Sequence, residues 1–551
     1  MKRFLAIIIV ISFVAIDALG QVGTTGRLEE EAEIVIRKDR KIVLPPATRN
    51  FEKIPQLPVS GLASKQQYQF RRFQFNLSPL EPSFRTANYR SSEPVMDLTS
   101  NYAKAGYGNY GTPYFEGYIG SPKSETYIVN LYVRHLSSQR GPVFDENSAS
   151  GKTEAAVSGK FFDGTNTVSG SLNYTGQKVH FFGYNPVLDL TSDAIEQKFT
   201  RFSANVAIDK TEKDTQLDYR FETDWVFFRD ALEAKENKFN FGIAGDYQFT
   251  DNLNFSVATR AVLSKRSEGS VDVKRNFLTI QPRINYLGDN FSLKAGLNFT
   301  GDNDSGNGMS LYPVIEGSYG VNTGIRVYAG YEGSLQMNTL ESSIDQNPFL
   351  QPGIELRNTE TASNIYGGVE LDLSKGLRLN AGGSFASLNN LQLFTNSATD
   401  SSRFEVLYDP GTVDRLNVFS EVNFEQLGQV RSSLRFDFYN YKMSTASPNL
   451  EEAWHLPSFK IAFNNTFFPI DNLSVTADLY YLGGLNAWNG ETAQKFELDD
   501  IVDLNLGGRY QLNQQFGVFL QMNNLFGSEY QRYLNYPSRG IQFLGGISVS
   551  F

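Results

Sequence analysis

Over residues 291–299 the chain alternates without a slip: Phe291, Leu293, Ala295, Leu297 and Phe299 are interleaved with Ser292, Lys294, Gly296 and Asn298. Successive side chains of a strand point to opposite faces, so this beat of two places an apolar row on one face and a polar, charged row on the other. The pattern recurs where Ile325, Val327, Ala329 and Tyr331 alternate with Arg326 and Tyr328, and where Val502, Leu504, Leu506, Tyr510 and Leu512 oppose Asp503, Asn505, Arg509 and Gln511. It also ends the chain, with Ile541, Phe543, Ile547, Val549 and Phe551 against Gln542, Ser548 and Ser550. Chain ends usually fray; this one is patterned as a paired strand. The runs are often twice as long as the roughly 5 to 6 residues of a soluble strand, and match the roughly 9 to 11 that a tilted strand needs to cross a bilayer.

The connections alternate as well. Short turns fall at 121–123, 163–166, 250–252, 287–290, 321–324, 374–376, 469–472 and 513–515, and longer polar loops at 137–151, 336–360, 389–412, 443–456, 483–495 and 527–540. Short periplasmic turns and long outer loops are the pattern of a bacterial outer-membrane barrel. The expected fold is all-β, a transmembrane antiparallel β-barrel of about 22 strands. Lys294, Arg326, Lys460, Asp478, Asp503 and Arg509 lie opposite the apolar rows and are expected to face a polar lumen. Pro282 and Pro313 interrupt otherwise good strands; proline cannot donate to a ladder, so they mark bulges or a local break.

The N-terminal fifth is different in kind. Lys2 and Arg3, an apolar run over 4–16 and Ala18-Leu19-Gly20 read as a secretory signal peptide, 1–20. Residues 21–98 hold an acidic cluster at 29–31, the β-prone Glu33, Ile34, Val35 and Ile36, a basic patch at 37–41 and a proline-spaced stretch at 45–58. They form a periplasmic or lumen segment, and 99–551 the barrel. The sequence has no cysteine, which excludes disulfides, thiol catalysis, cysteine-ligated metals and a lipobox anchor. A net charge of -10 argues against nucleic acid.

The last residues, "NNLFGSEYQRYLNYPSRGIQFLGGISVSF" from Asn523 to Phe551, resemble the C-terminal end of TonB-dependent receptors, the matching positions being Asn524, Leu525, Phe526, Tyr530, Arg539, Gly540, Gly546, Ser548 and Phe551. The hairpin "YQFTDNLNFSV" at 247–257 is similar to hairpins of the same barrels. The resemblance implies a 22-stranded barrel in the outer membrane of a Gram-negative bacterium, embedded in its lipid, with Phe551 as the signal for the outer-membrane assembly machinery. It also implies transport of a solute. Family members carry a folded plug, for which 21–98 is too short and irregular, so the chain reads as a plugless or reduced-plug relative. In that reading Glu33, Ile34, Val35 and Ile36 add as a strand to a TonB-like periplasmic partner; the alternative is an exposed linker.

Two functions follow: solute transport across the outer membrane, with the lumen closed by 21–98 folded inward or by the long loops 336–360 and 389–412, or a non-transporting barrel that anchors a cell-envelope complex through 21–98. Catalysis is not expected, because His135, His180 and His455 have neither metal-ligand spacing nor a nucleophile motif beside them. No cofactor or metal is implied. The acidic loop 301–308 reads first as a plain outer loop and second as a cation site, lacking the distal glutamate of a calcium loop. Trp454 and Trp488 flank outer loops as interface anchors or sugar-stacking rings.

Overall fold

The structure, a computed structural model, describes residues 101–551 apart from 123, 186, 212–215, 305–307, 427 and 446. The expected signal peptide, the segment 21–98 with Glu33, Ile34, Val35 and Ile36, and the centre of the 301–308 loop lie outside the described residues.

Every wall strand pairs antiparallel with its sequence neighbours in the wall, and the first, Tyr102–Gly108, pairs with the last, Gln542–Ser550, from Tyr102↔Ser550 to Gly108↔Leu544. The result is a closed sheet of 22 strands. Closure matters because unpaired backbone groups in hydrocarbon each cost several kcal/mol, by rough estimate, and a closed sheet leaves none at an edge. Strands run from 7 residues in the first to 17 in Val271–Leu287, so the longer ones stand well clear of a bilayer.

All connections at the end that carries both barrel termini are tight. At the opposite end lie the long loops 139–149, 181–195, 337–358, 390–411, 443–458, 484–500 and 524–541. The 181–195 loop is an addition to the expected set. Four short strands inside these loops, Gln392–Asn396, Phe404–Tyr408, Asn486–Asn489 and Gln494–Glu497, form a separate sheet away from the wall.

The period-two faces are inside out relative to a soluble protein. Leu293 and Ile547 are 46% and 57% exposed, while Asn298 and Ser548 on the alternate rows are 4% and 2% exposed. Apolar rows meet lipid and polar rows meet the barrel interior. Each proline keeps one ladder and interrupts the other. Pro282 stays opposite Val257, but its ladder to the next strand skips the rungs between Ile280↔Phe299 and Arg283↔Gly296 without a register shift. This is a local break, not a bulge, and Asn298 beside it turns its amide to the Gly333 carbonyl at 2.7 Å. Pro313 likewise holds its place opposite Leu297 with the register intact, while the ladder to the following strand ends beside it at Ile315↔Tyr331.

At the closing seam Gly106 faces Gly546. A Cβ on Gly546 would run into the Ala105 carbonyl oxygen, and would lie 2.5 Å from the Phe519 ring and 2.7 Å from the Gly106 Cα. Backbone cannot yield there as a flexible side chain can. We expect Gly546→Ala to destabilise the closed barrel by about 1 to 3 kcal/mol, seen as a lower temperature for loss of the compact, heat-modifiable band on detergent gels.

Candidate functional site

The long loops do not project as separate fingers. They pack into a cap whose apolar core, in which Phe404, Phe394, Leu340, Ile344, Tyr533 and Tyr536 are all buried, is continuous with Val179, Phe199 and Phe228 of the wall. Two further clusters adjoin it, one around Trp454 and Leu393, the other around Leu485, Leu498 and Leu534. Sequence position around the ring shows where the cap sits. The 181–195 loop joins the fifth and sixth wall strands and the 390–411 loop the fifteenth and sixteenth, roughly half the ring away. Yet the Arg403 guanidinium lies 4.7 Å from the Phe181 ring centroid. Loops rooted on opposite walls can meet only across the mouth, so the cap closes the outer end of the barrel.

The 524–541 loop is its hub. Tyr533 donates to the Gln346 carbonyl at 2.7 Å and Tyr536 to the Ser402 carbonyl. The Tyr536 ring stacks on Phe349 at 3.6 Å and lies against Phe182 at 4.7 Å. Nearer the wall, Tyr530 donates to Asp503 at 2.6 Å; burial and this carboxylate push its hydroxyl pKa up. Asp503 thus anchors the hub loop to the barrel.

Charged wall residues hold the rest of the cap. The helix Leu340–Gln346 starts at Thr339, whose hydroxyl accepts from the Ser342 amide while the Ser342 hydroxyl accepts from the Thr339 amide. This reciprocal box satisfies two of the donors that a helix start leaves open. Wall residue Glu236 accepts from the Leu340 and Glu341 amides, placing negative charge at the positive helix end. Glu341 pairs with Arg201 at 2.7 Å and with Lys238, and Asp345 pairs with Arg201 at 2.8 Å. Farther round, Arg275, buried, binds Asp304, the Asn338 carbonyl and the Asn358 side chain, and Arg266 donates to the Ile354 carbonyl. The contact to Asp304 places that carboxylate in an ion pair, which favours the plain-loop reading of 301–308.

The six charges expected in the lumen are spread around the wall. Lys294 pairs with Glu316 at 3.2 Å, Arg326 stands opposite Glu370, and Lys460 lies over the Tyr439 ring. Asp478 and Asp503 are buried on neighbouring strands, and Arg509 stands opposite Ser474. Phe551 is exposed on the outward side, with its amide bonded to the Asn101 carbonyl. The loops 336–360 and 389–412, expected as one of two ways of closing the lumen, both enter the cap, whereas the hub loop 524–541 and the latch residues Arg201, Lys238, Arg275 and Glu341 are not among the expected site residues. Their one visible signal is aromatic density in the hub loop, where Tyr530, Tyr533 and Tyr536 recur at intervals too close for a solvated loop.

The histidines and tryptophans are structural. His180 donates from Nδ1 to the Ala149 carbonyl at 2.7 Å, and Nε2 lies 2.9 Å from Ser192 Oγ, which knits two outer loops together. A backbone carbonyl, and not a carboxylate, orients this pair. Trp454 is fully buried, donates to the Asn449 carbonyl at 2.7 Å and packs against Trp488. It is cap core, neither interface anchor nor sugar platform.

His455 is enclosed at the centre. The Leu534 amide donates to its Nε2 at 3.3 Å, which places the ring proton on Nδ1, 2.9 Å from the Phe394 carbonyl. Enclosure, and then the Arg532 charge, hold its pKa down at about 3. An opened cap returns it to about 6.5. The closed form therefore binds fewer protons, so closure is at full strength above that value and weakens as pH falls toward the lower one. Going from about pH 7 to about pH 5 should cost the closed cap about 2 kcal/mol. We expect acrylamide quenching of the cap tryptophans, read in a Trp225→Phe background, to rise over that interval, and His455→Gln to flatten the dependence.

No family model and no curated protein matches the sequence. Solved structures do match in fold. The ferric-catecholate import receptor Fiu from Escherichia coli K12 superposes with a TM-score of 0.61 at 13% identity, over 82% of each chain. The siderophore receptor PiuA from Acinetobacter baumannii gives 0.62 at 11%, over 82% of each chain, and the FrpB iron transporter from Neisseria meningitidis 0.64 at 9%, over 83% of each. All three are described as receptors or transporters. With its closed 22-stranded wall, inside-out faces and loop-built cap, the chain is an outer-membrane β-barrel of the TonB-dependent-receptor fold.

Proposed function

We propose that this barrel imports a solute across the outer membrane through a mouth that the cap keeps shut until it is released. The observation that carries the reading is the latch: the helix Leu340–Gln346 and its flanks are tied to the wall by side-chain ion pairs and hydrogen bonds, not by continuation of the sheet. Such contacts can be exchanged for contacts with a ligand, whereas a sheet edge cannot be opened piecemeal. Solutes of the kind named for the structural neighbours, siderophores, are the first class to try. Residues 21–98 complete the device in this proposal, either as a reduced plug in the lumen or as an arm whose Glu33, Ile34, Val35 and Ile36 pair with a TonB-like partner. Phe551 serves as the assembly signal, and Lys294, Arg326, Lys460, Asp478 and Arg509 line the solute path.

A second reading is a non-transporting anchor for an envelope complex. The three apolar clusters favour it, since a lid with a continuous core of buried side chains is costly to open.

Single-channel conductance in a planar bilayer separates the two. The intact protein should be closed. A form lacking 22–98 that also carries Glu341→Gln and Arg275→Gln should conduct, with the 22–98 deletion alone showing whether the segment contributes to the seal. If the doubly altered, truncated barrel stays closed, the cap is a permanent seal and the anchor reading replaces transport.

A further inference from the structure

On six consecutive strands, from Asn166–His180 to Val271–Leu287, the outward face changes character toward the loop end. Lys178 stands directly opposite Lys198, Arg229 opposite Lys235, and Lys265 opposite Lys274. Each lies in the same outward row as an exposed apolar residue a few positions lower, namely Leu172, Phe202, Trp225, Phe239, Leu263 and Leu278. Tyr174 beside Phe202, and Trp225 stacked on Phe239, form an aromatic border just beneath the charges.

Like charges facing each other across a ladder destabilise it. Here three such pairs sit side by side. Two carboxylates moderate them: Glu196 lies 3.5 Å from Lys178 and also pairs with Lys198, and Asp272 lies 2.7 Å from Lys265. Asp272 also attracts Lys274, two positions along the same row, and Arg229 and Lys235 have no carboxylate in ion-pair contact among the described residues. Elsewhere on this rim the facing charges are of opposite sign, as in Asp414 opposite Lys442. The repulsion is therefore local, and it lies where an apolar, lipid-facing band gives way to the membrane surface.

An anion that relieves it must carry more than one charge and sit at that height. A phosphate monoester has about -1.5 to -2 charges and three acceptor oxygens, and it forms charge-assisted bonds with ammonium and guanidinium groups. We propose that this rim docks the phosphate groups of an anionic outer-leaflet glycolipid, which bridge the facing basic pairs while its acyl chains lie on the apolar band beneath. The apolar band is the reason the occupant is a lipid and not free phosphate. The inference is independent of transport and rests only on placement in the outer membrane.

The test uses the purified protein in neutral detergent, titrated with bis-phosphorylated lipid A, with its dephosphorylated counterpart and with inorganic phosphate, bound lipid being read by native mass spectrometry. The variants are Lys198→Gln/Lys235→Gln/Lys274→Gln and, as a control, Lys442→Gln, with the heat-modifiable band confirming a folded barrel. We expect the phosphorylated lipid to bind at least about tenfold tighter than the dephosphorylated one, and the triple variant, but not the control, to lose that preference. Because neutralising the pairs removes repulsion, the triple variant should also melt higher than the parent without lipid and gain less on its addition. Equal binding to both lipids, an unchanged triple variant, or displacement of the lipid by equimolar inorganic phosphate would overturn the proposal. If the triple variant does not fold, the lipid comparison and its weakening by salt on the parent decide alone.

Discussion

The pairing of the first wall strand with the last is the contact on which everything else depends. Until Tyr102–Gly108 meets Gln542–Ser550, the sheet has two open edges, and hydrocarbon offers neither of them a partner. The seam is built from residues with little bulk, Gly106 and Gly108 facing Gly546 and Leu544, so its strength is main-chain hydrogen bonding with little side-chain packing. Closure fixes the ring, the ring fixes which loops stand across from one another, and that geometry makes a cap possible.

Two solvents then act on one chain. Along the wall the apolar rows face out and polar groups are gathered inside, where they satisfy one another, as Lys104 does with Glu116 and Lys294 with Glu316. Above the membrane the order reverses. The cap buries Phe404, Trp454 and Leu485 as a water-soluble domain would, and its small sheet of four strands has every residue of Gln392–Asn396 buried. The boundary between the regimes is crossed by charged wall side chains: Arg201 and Lys238 reach the carboxylates of Glu341 and Asp345, and Arg275 reaches Asp304 and the Asn338 carbonyl. Beside them Val179, Phe199 and Phe228 of the wall carry the apolar core of the cap into the barrel.

The wall was legible in the sequence because lipid imposes a strict rule on every second residue. The run from Phe291 to Phe299 and the terminal row ending on Phe551 declare their faces without a partner being known, and the alternation of short turns and long loops declares the two ends. Proline was legible only as an interruption: whether Pro282 breaks a ladder or bulges depends on the neighbouring strand, which local sequence does not contain. That the long loops 336–360 and 389–412 could close the lumen was legible from their length, but the contacts that make them a cap were not, for the same reason. Its contacts join residues far apart in sequence, such as Phe181 with Arg403 or Gln346 with Tyr533, and its strands are too short to beat against the turn-forming residues around them. Trp454 reads from sequence as an interface anchor or a sugar-stacking ring because a loop tryptophan carries no mark of what will cover it.

The hub of the cap lies on the loop that leads into the strand closing the ring, and this couples two parts of the fold. Tyr533 and Tyr536, on which the 337–358 and 390–411 loops converge, stand a few residues before Gln542–Ser550, the strand that pairs with both Phe516–Asn523 and Tyr102–Gly108. The central rings of the cap are therefore held in register by the same strand that completes the wall. A change that loosens the seam is transmitted directly to the packing of the mouth, and the two behave as one cooperative unit.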